Sequence, residues 1–207
     1  APMRRIHGLN MLRVLVMDST MAQAMRAHLG EALTLAVTSF SSAHWSVRNS
    51  AMMLFAAVST RHLGVRAFQP TTRGPWIDSL LHASPALRPA LLDTLTASAA
   101  HVGAADLAAL GHGSALYAVL LLLSRTQSSA WPDVEALVAP LEQCTRSANA
   151  AVRSLAASCM ARLVPSDQRA ALVERLLRDA TPRDQNALAG ALAVVHALAS
   201  PAFAPAV

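Results

Sequence analysis

Residues 42–56 read SAHWSVRNSAMMLFA, and residues 147–161, 105 positions on, read SANAAVRSLAASCMA. Both copies follow a helical stretch that ends in Ser. Both give Val-Arg (Val47-Arg48 and Val152-Arg153) and then an Ala three residues after the Arg. Antiparallel helix pairs with Val-Arg near the start of the second helix mark HEAT and armadillo solenoids, whose period is about 40–47 residues. Two or three such units fit the offset. The units are degenerate, because the Asp that usually precedes Val-Arg is replaced by Ser, Ala or Asn. A single pair leaves one flat side uncovered, so neighbours must stack to make a core. The expected fold is therefore all-α, an α-solenoid of HEAT/armadillo-like antiparallel helix pairs.

Apolar spacing agrees along the whole chain. Ile6, Leu9, Leu12, Arg13, Val16 and Met17 form one helical face over 4–17. A second helix is expected over 20–40, with a break at Gly30. A third runs over 45–63, with Val47, Ala51, Leu54, Phe55, Val58 and His62 inward and Gly64 as its stop. The pattern then fails in VRAFQPTTRGPW (65–76), a loop long enough to be a functional one. Helices resume near 76–83, 86–100, 114–126, 133–146, 150–164, 168–178 and 183–199. The one at 114–126, capped by Ser114, is apolar nearly all round and should be buried on most sides. The organisation expected is a single solenoid segment over 1–207: basic helices over 1–64, a loop over 65–76, and further repeats over 77–207. It reads as part of a larger protein.

Composition supports helices packed closely. Hydrophobic residues make up 54% of the 207 and aromatics only 4%, so the core is built on Leu and Ala, the best helix formers. The longest apolar run, ALYAVLLLL (115–123), has nine residues, against about 20 for a membrane span. No secretory leader is legible, because Asn10, Arg13 and Asp18 interrupt the first apolar stretch. Two cysteines, Cys144 and Cys159, are too few for a disulfide framework and read as buried thiols of a cytoplasmic protein.

Charge is unevenly placed. The chain has no Lys, and every basic side chain is Arg. Residues 1–73 hold eight Arg against Asp18 and Glu31, while residues 74–207 hold nine Arg against ten acids. A basic first third suits an anionic partner, nucleic acid first among them, or it reflects a compositional bias with an ordinary solvated surface. Arg4, Arg5, Arg13, Arg61, Arg66 and Arg73 are the candidate contacts to RNA phosphate, through the fixed two-pronged geometry of guanidinium.

Catalytic signatures are absent from the sequence. The eight His are scattered with no HExxH, and the cysteines have no metal-ligand spacing with them. GHGSA (111–115) lacks the GxSxG spacing and a preceding strand, so Ser114 and His112 read as loop and cap. No cofactor-binding or metal-binding pattern is present. Arg48 reads as a tie to carbonyls or a Ser of the neighbouring repeat, with phosphate contact as the alternative. Asn49 belongs to the same repeat block. Trp45 reads as a plug between repeats, or as a base-stacking surface if exposed. Met3, Met11, Met17, Met21, Met25, Met52 and Met53 crowd the first quarter, as core filler or as an adaptable binding face.

The blocks HGLNMLRVLVMDSTM (7–21) and WSVRNSAMMLFAAVSTRHLGVR (45–66) resemble the THADA family. The resemblance continues in order through TTRG and LLHASPALRPALLDTL (71–95), HGSALYAVLLLLSRT (112–126), SANAAVRSLAASCMARLVP (147–165) and QNALAGALAVVHALA (185–199). Val-Arg-Asn-Ser is its most specific mark. The resemblance implies a segment from the central-to-C-terminal region of a very large, non-catalytic α-solenoid. It implies an FtsJ-like 2′-O-methyltransferase and tRNA as partners, with methylation of the anticodon loop using S-adenosylmethionine bound by the enzyme. The family's Arg-Arg-Ser-Ala-Gly-Leu/Ile-Pro motif is absent from these residues. A chain without Lys cannot supply the Lys-Asp-Lys-Glu tetrad of such a methyltransferase. The alternative is a general protein–protein scaffold with no RNA contact.

Overall fold

A computed structural model describes residues 2–63, 75–102, 112–181 and 183–200, and these form helices and turns with no strand among them. The helices are α1 (Pro2–Met17), α2 (Ala22–Met25), α3 (Leu29–Ser39), α4 (Trp45–Val58) and α5 (Pro75–Ala83). They continue with α6 (Leu87–Ala99), α7 (His112–Leu123), α8 (Glu135–Thr145), α9 (Ala150–Leu163), α10 (Arg169–Asp179) and α11 (Gln185–Ala199). The fold is a helical solenoid.

The helices follow from the spacing of apolar side chains. In α4 the residues Val47, Ala51, Leu54, Phe55 and Val58 are all buried, three or four positions apart. In α7 every residue from Ala115 to Leu123 is buried except Tyr117, as a helix apolar on all sides requires. Caps mark several ends. The Asn149 side chain accepts the Ala151 amide at the start of α9, and Asp184 accepts the Ala187 amide at the start of α11. Arg169 closes the other end of α9, its Nη2 donating to the Ala161 carbonyl at 2.9 Å.

Packing is arranged in two rows. The pairs α3/α4, α6/α7, α8/α9 and α10/α11 each pack internally. The first helices of successive pairs touch in the order α3, α6, α8, and the second helices in the order α7, α9, α11. α1 lies against α4 as α9 lies against α11. One continuous core runs from Leu9 to Ala197. The last two pairs repeat at the spacing of tetratricopeptide units, about 34 residues. Their first helices start at Glu135 and Arg169, their second at Ala150 and Gln185.

Two glycines are set by these contacts. A Cβ on Gly190 would overlap the Thr145 carbonyl oxygen, so α11 approaches the end of α8 backbone to side. A Cβ on Gly30 would overlap the Ser84 hydroxyl. The expected break at Gly30 is thus displaced. The chain tightens earlier, in a 3-10 turn at Arg26–His28, and Gly30 sits inside α3 as a packing residue. α7 begins at His112, so Ser114 lies within its first turn and not at its cap. Gly64 and most of the 65–76 loop lie outside the described residues, and Pro75 and Trp76 already belong to α5.

Most of the early methionines are exposed, contrary to a core-filling role. Met25 is buried and Met52 half-buried, but Met3, Met11, Met17, Met21 and Met53 face outward. The reason is helical phase. Leu9 and Val16 turn α1 toward α4, which leaves Met3, His7, Met11 and Val14 on the opposite face.

Candidate nucleic-acid interface

The two Val-Arg blocks build the same local structure. Ser42 Oγ accepts the His44 amide at 3.3 Å, and Ser147 Oγ accepts the Asn149 amide at 3.2 Å, each a short hydroxyl turn before a helix. Arg48 Nη1 then donates to the carbonyls of Ser42 (2.8 Å) and Ala43 (3.2 Å). Arg153 Nη1 donates to the carbonyls of Ser147 (2.6 Å) and Ala148 (3.0 Å). Each guanidinium reaches back one helical turn and closes the bend between the two helices of its own pair. Arg153 also extends to Asn186 Oδ1 at 3.4 Å, in the next pair. Val47 and Val152 are buried beneath these ties, while Asn49 faces solvent.

Trp45 does not plug a gap between repeats; it is 69% exposed. It opens α4, and Trp45, Asn49 and Met53 recur every four residues along the outward side. The same phase that buries Val47, Ala51 and Leu54 turns the indole to solvent.

The candidate phosphate contacts are spread along α1 and α4. Arg4 and Arg5 are exposed at the start of α1, Arg13 is half-buried in its second half, and Arg61 is exposed just after α4. Nine residues of helix place Arg4 and Arg13 about half a turn apart around the axis, on opposite flanks. Asp18, fully exposed after α1, is held below the usual carboxylate range. The Thr20 hydroxyl is the main cause, its amide adds to it, and Arg61 contributes a weaker positive field. That field puts Arg61 at the far end of α1 from Arg4 and Arg5, about 20 Å away by the helical rise. Arg66 and Arg73 lie outside the described residues.

Chemistry elsewhere is muted. Among the described residues no group of three or more His, Cys, Asp or Glu could hold a metal ion. Cys144 and Cys159 are buried and unbridged. Burial pushes the Cys144 thiol up to about 12 and raises that of Cys159 well above its ordinary value. No described helix is long and apolar enough to cross a membrane. Two surface features had no sequence reading. One is the exposed apolar face of α1, with Met11 at 66% and Val14 at 61% exposure. The other is a groove of about 550 Å³ between α8 and α10, with Glu135, Glu142 and Asp167 on its rim. A helical wheel fixed on Leu9 and Val16 could have found the first. The second depends on how two pairs splay.

Comparison with known proteins follows the same division of the chain. The family described as Trm732, C-terminal TPR repeats, matches residues 48–198, and the one described as THADA/TRM732, DUF2428, matches residues 1–46. The chain is 23% identical over 208 residues to a protein of Schizosaccharomyces pombe named tRNA (32-2′-O)-methyltransferase regulator trm732, covering 95% of this chain and 14% of that protein. It is 28% identical over 182 residues to the regulator named THADA of Canis lupus familiaris, covering 84% of this chain and 9% of that protein. The human protein of that name is 36% identical over 62 residues, covering 30% of this chain and 3% of its own length. The chain therefore spans only a small part of these relatives. No solved structure matches it. The junction of the two matched regions falls in the first turn of α4, a helix packed on both α1 and α3, so no break in the core accompanies it. With the first of these families covering well over half of its length, this chain belongs to the THADA/Trm732 family.

Proposed function

We propose that this chain is a non-catalytic solenoid segment of a tRNA methylation regulator. In this reading it helps an FtsJ-like methyltransferase act on the 2′-hydroxyl of nucleotide 32 in the tRNA anticodon loop, by positioning the tRNA or the enzyme. The observation that carries the reading is the alignment of 95% of the chain with a protein named as regulator of that modification. Arg4, Arg5, Arg13, Arg61, Arg66 and Arg73 are its proposed phosphate contacts, and we place the protein in the cytoplasm. We class its pairs as HEAT/armadillo-like, on the Val-Arg tie that Arg48 and Arg153 both make.

The test is tRNA affinity across a salt series, for the wild type and for Arg4→Glu/Arg5→Glu/Arg61→Glu. We expect weaker binding, with the salt slope falling by about one for each arginine–phosphate pairing that the substitutions remove. Unchanged affinity and slope would refute the RNA contact.

A second reading, a protein–protein scaffold, is favoured by the exposed Met3, Met11 and Val14 on α1 and by Leu188 and Leu192 on α11. These apolar faces lie at opposite ends of the stack, where further helix pairs of a longer solenoid would pack. Enzyme capture that resists nuclease and high salt would support that role.

A further inference from the structure

The segment joining α7 to α8 is held at three points. The Gln127 amide donates to Asp78 Oδ1 at 3.2 Å, Arg88 Nε donates to the Ala130 carbonyl at 2.8 Å, and Trp131 Nε1 donates to Thr126 Oγ1 at 3.2 Å. Ser124, Arg125 and Thr126 begin this segment, and all three are buried. The two hydroxyls are satisfied by the last carbonyls of α7, Ser124 on Leu121 at 2.8 Å and Thr126 on Leu123 at 3.0 Å.

Arg125 is different. Its side chain is enclosed, with 2% exposure for the residue, yet Nε and Nη2 have no hydrogen-bond partner among the described residues. Those two N–H groups lie side by side on one edge of the guanidinium plane. That edge is the fork that grips both oxygens of a carboxylate or phosphate. The charge acting on Arg125 is a second positive one, Arg162 of α9. Asp78, the acid in this region, lies in the field of Arg162 and already accepts the Gln127 amide. A fork held on a pinned segment, with a like charge beside it, lacks an anion. Buried polar groups in folded proteins are otherwise partnered almost without exception.

We propose that the Arg125 fork, with Arg162 alongside, is a binding site for a phosphate-class oxyanion. Two guanidiniums favour a phosphate group over a single carboxylate, because its charge at neutral pH approaches the sum of theirs. The source is either free phosphate or a phosphate of bound RNA.

The experiment is calorimetric titration of the full chain with inorganic phosphate in chloride buffer of matched ionic strength, with thermal melts alongside. Wild type should bind one phosphate per chain, with a saturable rise of several degrees in Tm. Arg125→Lys should weaken binding about tenfold or more, since an ammonium offers no fork. Arg125→Met should abolish it. Arg175→Met, which removes an exposed guanidinium paired with Glu142, should leave it unchanged. Competition by tRNA that depends on Arg125 would assign the phosphate to RNA, and its absence would assign a free anion. No saturable phosphate binding by the wild type would overturn the site. So would equal affinity in Arg125→Lys and Arg175→Met. Should Arg125→Met fail to fold, Arg125→Lys carries the comparison.

Discussion

Arg48 and Arg153, 105 residues apart, place Nη1 on the same two carbonyls of the preceding bend, at 2.8 and 3.2 Å in the first copy and 2.6 and 3.0 Å in the second. The bend is thereby locked to the helix that follows it. Truncating either arginine leaves two carbonyls of a tight turn without their cationic donor. Arg48→Ala and Arg153→Ala should each cost about 1.5–3 kcal/mol in urea denaturation. Arg153→Ala should cost the more, through Asn186. The two losses should add, because the sites share no partner.

Glycine substitutions should split by neighbourhood. Gly190→Ala would drive a Cβ into the Thr145 carbonyl, so overpacking of about 1–3 kcal/mol outweighs the helix propensity of Ala. Gly8→Ala meets nothing within 4 Å and should stabilise α1 by about 0.5–1 kcal/mol. Denaturation midpoints of the two variants should move in opposite directions.

The cysteines give a pH signature. Both thiols are raised by burial, Cys144 to about 12 from 9.0. Between those values the folded protein holds protons that the unfolded chain releases. Stability is therefore intact below about pH 9 and is lost as pH rises toward 12. Urea midpoints should fall through that window, and less steeply in Cys144→Ala. A thiol reagent at pH 8 should label neither cysteine until the protein unfolds.

The exposed face of α1 should be separable from folding. Met11→Gln with Val14→Gln removes apolar surface that touches no core, so stability should stay within about 0.5 kcal/mol. Self-association measured by sedimentation should decrease. A large stability loss would mean that this face packs against the chain itself.

The sequence by itself determined the helices and the Arg ties. Helices follow a local period, and each guanidinium reaches carbonyls only five and six residues back, so neighbouring residues suffice to specify them. Element positions agree within a few residues for the same reason. Tertiary structure decided exposure. Trp45 and the α1 methionines are apolar, and only the direction from which α4 or α1 is covered shows that they face solvent. Gly30 looks like a helix break until Ser84, 54 positions on, is placed against it. Arg125 sits in sequence between Ser and Thr like any polar loop residue. It becomes a buried, unpartnered fork only once α7, α9 and the pinned segment after α7 enclose it. Local hydrogen bonding is written in adjacent residues, whereas burial is a sum over neighbours far away in the chain, and only the stacked helices carry that sum.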